Sequence, residues 1–277
     1  MIEFRNVHFS YPVPGGDSRP VLHGINLLIP RGRYTALMGP NGSGKSTLGK
    51  LVKGLLSPTT GRVFVAERLL EPGEISPSVG FIFSNPENQI ISSVVEEDVA
   101  FGLENMGLHP AEIALKVQDS LSRVGMEDFR YHSPHLLSGG QQQKIVIAGI
   151  LAMENQILVL DEPTSMLDLE DRREILDLFQ KLHSREGKTL LHITHAMEEA
   201  LRAEDLILLD KGRVAFYGTV RDFLAQDKWI DGFGLSLPPL PRLIRDLRAL
   251  GYPIPAETHS VPELKAILLR LKQGIRK

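Results

Sequence analysis

A chain of 277 residues, 42% of them apolar, can bury a substantial core and still leave room for an appendage beyond one domain. Its 31 Lys and Arg against 34 Asp and Glu leave a net charge of -3, with no basic excess to suggest a nucleic-acid partner, and the absence of cysteine excludes disulfides and thiolate metal sites. No charged-then-apolar leader is visible, and apolar runs such as Ile145 to Met153 fall short of the ~18 residues that span a bilayer, so a soluble protein that reaches a membrane only through partners is expected. At the start of the chain, Met1 to Asn6 and the runs near Arg33 and Val63 read as strands, and Gly24 to Pro30 with Arg31-Gly32-Arg33 reads as a strand and its turn. Within Val7 to Pro12, alternation puts Phe9 and Tyr11 on one side of a strand, where either could stack a flat face on a base.

The apolar run Tyr34 to Met38 then leads into Gly39-Pro40-Asn41-Gly42-Ser43-Gly44-Lys45-Ser46-Thr47, which fits G-x-x-x-x-G-K-[ST] at every fixed position. Leu48, Leu51, Val52 and Leu55 follow at helical spacing, which a plain Gly/Ser turn would not require. Strand, glycine-rich turn and helix in that order form a phosphate cradle. Gly39, Gly42 and Gly44 permit positive φ and close approach, the loop amides of Asn41 and Ser43 join them, and the positive end of the helix adds partial charge. Lys45 is placed to bridge the β- and γ-phosphates, Ser46 to hold Mg2+ through its hydroxyl, and Thr47 to reach the α-phosphate region.

From about Asn85 to Met153 the pattern turns helical, with Ile113, Val117, Leu121 and Val124 on one face. His132 and His135 have metal-like spacing but lie in a Pro-containing stretch without acidic partners and read as loop residues. Leu137-Ser138-Gly139-Gly140-Gln141 opens a second apolar helix, where Ser138 could be simply an N-cap. Ile157 to Leu160 is a short apolar run ending in Asp161-Glu162, which reads as a buried parallel strand delivering two carboxylates at its C-terminal edge. Asp161 suits Mg2+ held through water and Glu162 suits a general base for the attacking water. Leu190 to Thr194 is another apolar strand ending in His195, with His192 read as structural. Strands near Leu158, Leu191 and Ile207 alternate with helical runs near Glu174 and Glu198, the rhythm of a parallel α/β sheet. After Asp222 the proline-rich Leu237 to Pro241 reads as a stiff connector before a helix with Leu243, Ile244, Leu247 and Leu250 on one face. Ser260-Val261-Pro262-Glu263 caps a last helix with Leu264, Ile267, Leu268 and Leu271, and the pair is expected to pack on the core or on the same element of a second subunit.

Taken together, these motifs resemble the ATPase subunit of an ABC transporter. That resemblance implies a P-loop NTPase fold in residues 1–222, with a RecA-like parallel sheet core, an antiparallel β subdomain and an inserted helical subdomain at about 85–153, and a small C-terminal helical extension in 223–277. It also implies that Ser138, Gly139, Gly140 and Gln141 are the family signature, used in trans, so that each ATP is sandwiched between one subunit's loop and its partner's signature. Asp168, in Ser165-Met166-Leu167-Asp168, matches the family's D-loop, His195 the switch histidine at the γ-phosphate, and Tyr11 the aromatic platform for adenine. The catalytic set implied is Glu162, His195 and Lys45.

One position departs from the family pattern: Ser84 stands where a glutamine is expected after the strand Val79 to Phe83. A serine hydroxyl on a shorter stem can retain a water-mediated metal contact but not direct positioning of the nucleophile, so altered coupling is expected; Gln89 is too displaced to be taken as a substitute. The stretches Asn85 to Ile90 and Val95 to Asn105 resemble the ATPases of energy-coupling factor transporters, importers of vitamins and transition-metal ions. The resemblance implies a second ATPase subunit, a transmembrane coupling protein docked on this region, a substrate-binding membrane subunit, and a peripheral location at the cytoplasmic face of the membrane. A conventional ABC importer ATPase is the nearest alternative; a soluble ABC ATPase acting on DNA or ribosomes lacks its expected heptad insertions or tandem cassettes.

Overall fold

The computed structural model describes residues 1–255, 258 and 260–274. In chain order its elements are β1 (Ile2–Pro12), β2 (Ser18–Ile29), β3 (Tyr34–Met38), α1 (Lys45–Lys53), β4 (Thr60–Val65), β5 (Arg68–Leu69), β6 (Val79–Ile82), α2 (Val95–Asn105), α3 (Pro110–Arg123), α4 (Gly139–Ala152), β7 (Ile157–Asp161), α5 (Leu169–Glu186), β8 (Thr189–Ile193), α6 (Met197–Ala200), β9 (Asp205–Asp210), β10 (Arg213–Thr219), α7 (Val220–Leu224), α8 (Asp227–Gly232), α9 (Pro239–Ala249) and α10 (Val261–Gly274).

The strands form two sheets, a six-stranded one in the order β10-β9-β3-β8-β7-β6 and a four-stranded antiparallel one in the order β2-β1-β4-β5. Within the larger sheet β9, β3, β8, β7 and β6 run parallel and β10 closes one edge antiparallel. Its central strands are buried along their whole length, which is why they read as unbroken apolar runs rather than as alternation. The two-residue period instead sorts their side chains between two cores. Leu158, Leu160, Leu206 and Leu208 join the core under α2 to α5, whereas Ile157, Val159, Ile207 and Leu209 join the core under α1 and the antiparallel sheet.

The expected helical insertion is present, with α2, α3 and α4 packed on one another through Val99, Leu103, Val117, Leu121 and Ile147. The C-terminal region differs from expectation in two respects. Pro239 and Pro241 are not a connector but the first turn of α9, where a ring-locked φ and a missing N–H are tolerated. The cut expected after Asp222 runs through α7, which is capped by Thr219; Trp229, Phe233 and Leu237 beyond it still pack on the main core. The separate small core, Ile244, Ile254 and Leu264 with Leu240, Leu247, Ile267 and Leu268, belongs to α9 and α10, so these helices pack on each other. Residues 275–277 of the expected extension lie outside the described residues.

Candidate nucleotide site

The parallel strands β3, β7 and β8 bring the loop after β3, the carboxylates after β7 and the histidine after β8 to one sheet edge. The loop between β3 and α1 is tightly wound. Gly39 sits at φ 149, and a Cβ there would come within 2.1 Å of the Leu209 carbonyl oxygen. The N-terminus of α1 begins at Gly44 with no side-chain cap, leaving first-turn amides open to an anion. Lys45 folds over the loop, donating to the Gly39 and Pro40 carbonyls at 2.8 and 3.0 Å. Burial lowers its pKa, against the opposing pull of Glu162 and Asp161. The Ser43 hydroxyl is buried without a protein partner.

Across the edge, Ser46 Oγ donates to Asp161 Oδ1 at 3.0 Å. Burial raises the Asp161 carboxyl above its ordinary value, and the neighbouring Glu162 charge adds to this, while the Ser46 hydrogen bond and the Lys50 and Lys45 charges oppose it. A carboxylate paired with only one hydroxyl keeps acceptor lone pairs for further donors or a cation. The donor set is one hydroxyl and one carboxylate, and no cluster of three or more His, Asp or Glu side chains that could hold a metal exists among the described residues. That set fits Mg2+, which keeps several waters and takes one or two carboxylates together with phosphate oxygens.

Glu162 follows Asp161 at φ 51, a conformation a side chain rarely adopts, with its N–H bonded to the Ile193 carbonyl at 3.0 Å. Its Oε1 lies 3.4 Å from His195 Nδ1. Beside them, a cleft of about 400 Å³ is lined by Tyr11, Arg19, Asn41, Lys45, Thr47 and Glu162 among others. Tyr11 Oη and Thr47 Oγ1 are 3.1 Å apart, and Phe9, packed edge-on against Tyr11, is only 5% exposed, so of the two aromatic candidates only Tyr11 reaches the cleft. Arg19 is an addition the sequence reading missed. Pairing of β1 and β2 sets it opposite Tyr11, a register that the alternation in both strands could have suggested.

The remaining predicted residues lie elsewhere. Ser138 to Gln141 line no part of the cleft. Ser138 Oγ accepts from the Gln141 N–H and Gln141 Oε1 from the Ser138 N–H, so the capping role that the sequence left as the alternative is present in full. Gly139 has open space around it. Asp168 is the N-cap of α5, accepting from the amides of Glu170 and Asp171, between the exposed Met166 and Leu169. Ser84 lies just past β6, its carbonyl 3.4 Å from Ser165 Oγ. Gln89 is occupied elsewhere, with its amide bonded to the Phe81 carbonyl and the Phe83 N–H, while Gln143 of α4 donates to the Phe83 carbonyl.

A phosphate loop, a Ser46–Asp161 pair and an adjoining carboxylate at one parallel-sheet edge are the parts of a nucleoside-triphosphatase. Residues 22–165 match the family model for ABC transporters. The energy-coupling factor transporter ATP-binding protein EcfA1 of Clostridium novyi is 40% identical over 276 residues, covering 98% of this chain and 99% of that protein. The chain belongs to this family of ABC ATPases. EcfA1 of Symbiobacterium thermophilum is 45% identical over 91% of this chain and 90% of its own length. Among solved structures, cbiO1 from Clostridium perfringens, described as part of the ABC transporter complex cbiONQ, superposes with a TM-score of 0.74 at 33% identity, over 88% of this chain and 98% of its own. The ATP-binding cassette MJ0796, in a dimeric post-hydrolysis state bound to ADP and Pi, gives 0.72 at 30% identity over 79% and 99%. The chain is thus an ABC-type P-loop ATPase that binds and hydrolyses ATP to energise a transporter, and no helix among its described residues is long and apolar enough to cross a membrane.

Proposed function

We propose that this ATPase drives uptake of a vitamin or transition-metal ion from the cytoplasmic face of the membrane, as one of two ATPase subunits that clamp ATP between them. The observation carrying this reading is the layout of the site: the cleft holds Tyr11, Lys45 and Glu162, whereas the capped turn at Ser138 and Gly139 lies outside it and faces solvent, with Gly140 buried behind it against Leu167 and Asp171. A triphosphate bound by the loop therefore has one side open to a second copy or homologue of the chain. Asp168, with exposed Met166 and Leu169 beside it, belongs to the same contact face.

Within that arrangement Tyr11 stacks on adenine and the loop amides among Gly39, Asn41, Gly42, Ser43 and Gly44 hold the phosphates. Lys45 bridges β and γ, and Thr47 reaches toward α. Ser46 and Asp161 would hold Mg2+, which would neutralise developing phosphate charge when bound. Ser84 could touch it only through water. Glu162 takes the proton of the attacking water, and His195 meets the γ-phosphate beside it. The partner surface for the transmembrane coupling protein, through which the substrate-binding membrane subunit joins the assembly, is a groove of about 140 Å³ between α2 and α4, lined by Ile91, Phe101, Val146 and Met153, with Ile91 67% exposed.

The testing variant is Glu162→Gln, which keeps the side chain's size and removes the base. In the purified transporter, turnover should fall by about 10²- to 10⁴-fold while ATP holds the ATPase pair together in size-exclusion runs. A variant that hydrolyses at the wild-type rate refutes the assignment.

A further inference from the structure

Glu199, on α6, takes no part in nucleotide contact, yet it is only 4% exposed and carries a charge into the core. Buried carboxylates persist when several donors satisfy them. One oxygen of Glu199 accepts from Thr164 Oγ1 at 2.6 Å, and the other from Thr194 Oγ1 at 2.7 Å. Arg172 Nε stands 3.8 Å away, and His192 Nε2 is 3.4 Å from the second oxygen with poor alignment; His192 Nδ1 is in turn 2.9 Å from Tyr34 Oη at the start of β3.

The two threonines hold the flanks of the hydrolytic pair. Thr164 lies in the turn just after Glu162, its carbonyl accepting from the Leu167 N–H, and Thr194 directly precedes His195. Thr194 Oγ1 also accepts from the Ala196 N–H at 3.0 Å, which fixes the turn on the far side of His195. Both threonines are buried, at 3% and 2% exposure. Glu162 itself is held at φ 51, and such a conformation survives only where its surroundings over-determine it. The single carboxylate of Glu199 thus joins the two segments from behind, in addition to the Glu162 N–H to Ile193 carbonyl bond at the sheet edge and the Glu162–His195 contact.

We propose that Glu199 is a positioning residue for hydrolysis: by accepting from Thr164 on one oxygen and Thr194 on the other, it fixes the Glu162–His195 separation of 3.4 Å and so governs the turnover rate and not nucleotide affinity. This rests on the roles of Glu162 and His195 proposed above. A purely structural network would lower stability without regard to which segment is freed; a positioning network acts through His195 and Glu162 alone.

The test uses the full chain in the purified transporter with MgATP, comparing Glu199→Gln, Thr194→Val, Thr194→Ser and His195→Ala, and the Glu199→Gln/His195→Ala double variant. Glu199→Gln and Thr194→Val should lower kcat about 10- to 100-fold with KM for ATP within about twofold, as expected for sub-ångström to 1 Å misplacement of reacting groups, and Thr194→Ser, which keeps the hydroxyl, should restore the rate. In the His195→Ala background, Glu199→Gln should cost less than it does in the wild type, because only the Glu162 arm is left to be misplaced. Multiplying losses in the double variant, or a raised KM at unchanged kcat, overturn the proposal. Should Glu199→Gln not fold, equal rates for Thr194→Val and Thr194→Ser overturn it. A wild-type rate in His195→Ala refutes the underlying role of His195, and this proposal with it; a depressed rate there with a normal rate in Glu199→Gln refutes this proposal alone.

Discussion

Replacing Gly39 by alanine should separate steric collision from backbone strain in the phosphate loop, because Gly42 three positions on provides the control. Both glycines have positive φ, 149 at Gly39 and 78 at Gly42, but a Cβ at Gly39 meets the Leu209 carbonyl oxygen at 2.1 Å and Ser43 Oγ at 2.9 Å, whereas one at Gly42 has nothing within 4 Å. Gly42→Ala therefore incurs only the left-handed penalty of about 1–2 kcal/mol. Gly39→Ala carries a strained φ, about 1–3 kcal/mol, and an overlap with the β9 backbone that no rotamer relieves, another ~1–3 kcal/mol. Their sum, about 2–6 kcal/mol, is a large share of the ~5–15 kcal/mol that holds a typical domain folded. Urea unfolding of the isolated chain without nucleotide reads both, as a shift in midpoint at constant slope. Relief of the overlap must push the loop away from β9 by about an ångström, so ATP turnover should drop about 10²-fold as well. Equal midpoints for the two variants would show that the close approach to Leu209 does not constrain the loop, and the steric reasoning would fail.

Glu199 also gives a pH signature. Burial acts to raise its carboxyl, but the adjacent His192 and the hydrogen bonds from Thr164 and Thr194 together outweigh it and bring the group from 4.5 down to about 2. The lowered value means that its ionised form contributes stability above pH 4.5 that is lost as pH falls toward 2, about 3 kcal/mol over the whole interval. The difference in unfolding free energy between wild type and Glu199→Gln should therefore shrink through that window, and a constant difference would contradict it. Ser84→Gln should change the amount of substrate transported per ATP, since it restores an amide where the chain has a hydroxyl; unchanged turnover and unchanged transport remove any special role for Ser84. Leu169→Glu alters a side chain 82% exposed and should leave folding within about 0.5 kcal/mol of wild type while abolishing ATP-dependent pairing, measured by light scattering. Pairing that survives unaltered would place the contact face elsewhere.

What could be read from the sequence was what local pattern encodes. The loop at Gly39 is contiguous, and the strand ending in Asp161-Glu162 is a short apolar run buried on both faces, so spacing alone placed both. Proline misled the reading near Leu237 because the same residue breaks a helix interior and favours its first turn, and only the packing of α9 on α10 decides between them. Arg19 and Glu199 escaped for another reason. Their significance lies in pairings across the chain, Arg19 with Tyr11 through hairpin register and Glu199 with Thr164 through the meeting of β7 and β8, and neither carries a local signature beyond an exposed cation and an acidic helix start. Gln89, set aside from the sequence as too displaced to replace the amide missing at Ser84, is committed to the end of β6 by its bonds to Phe81 and Phe83.

The reciprocal bonds between Ser138 and Gln141 have a bearing on how fast two such chains can engage. The turn that would greet a neighbour's nucleotide is already rigid in the solitary chain, so encounter demands no disorder-to-order step there. On the proposed head-to-tail pairing, the timing of association is then left to the bound triphosphate itself, and each round of closure begins from a surface that needs only to be met, never built.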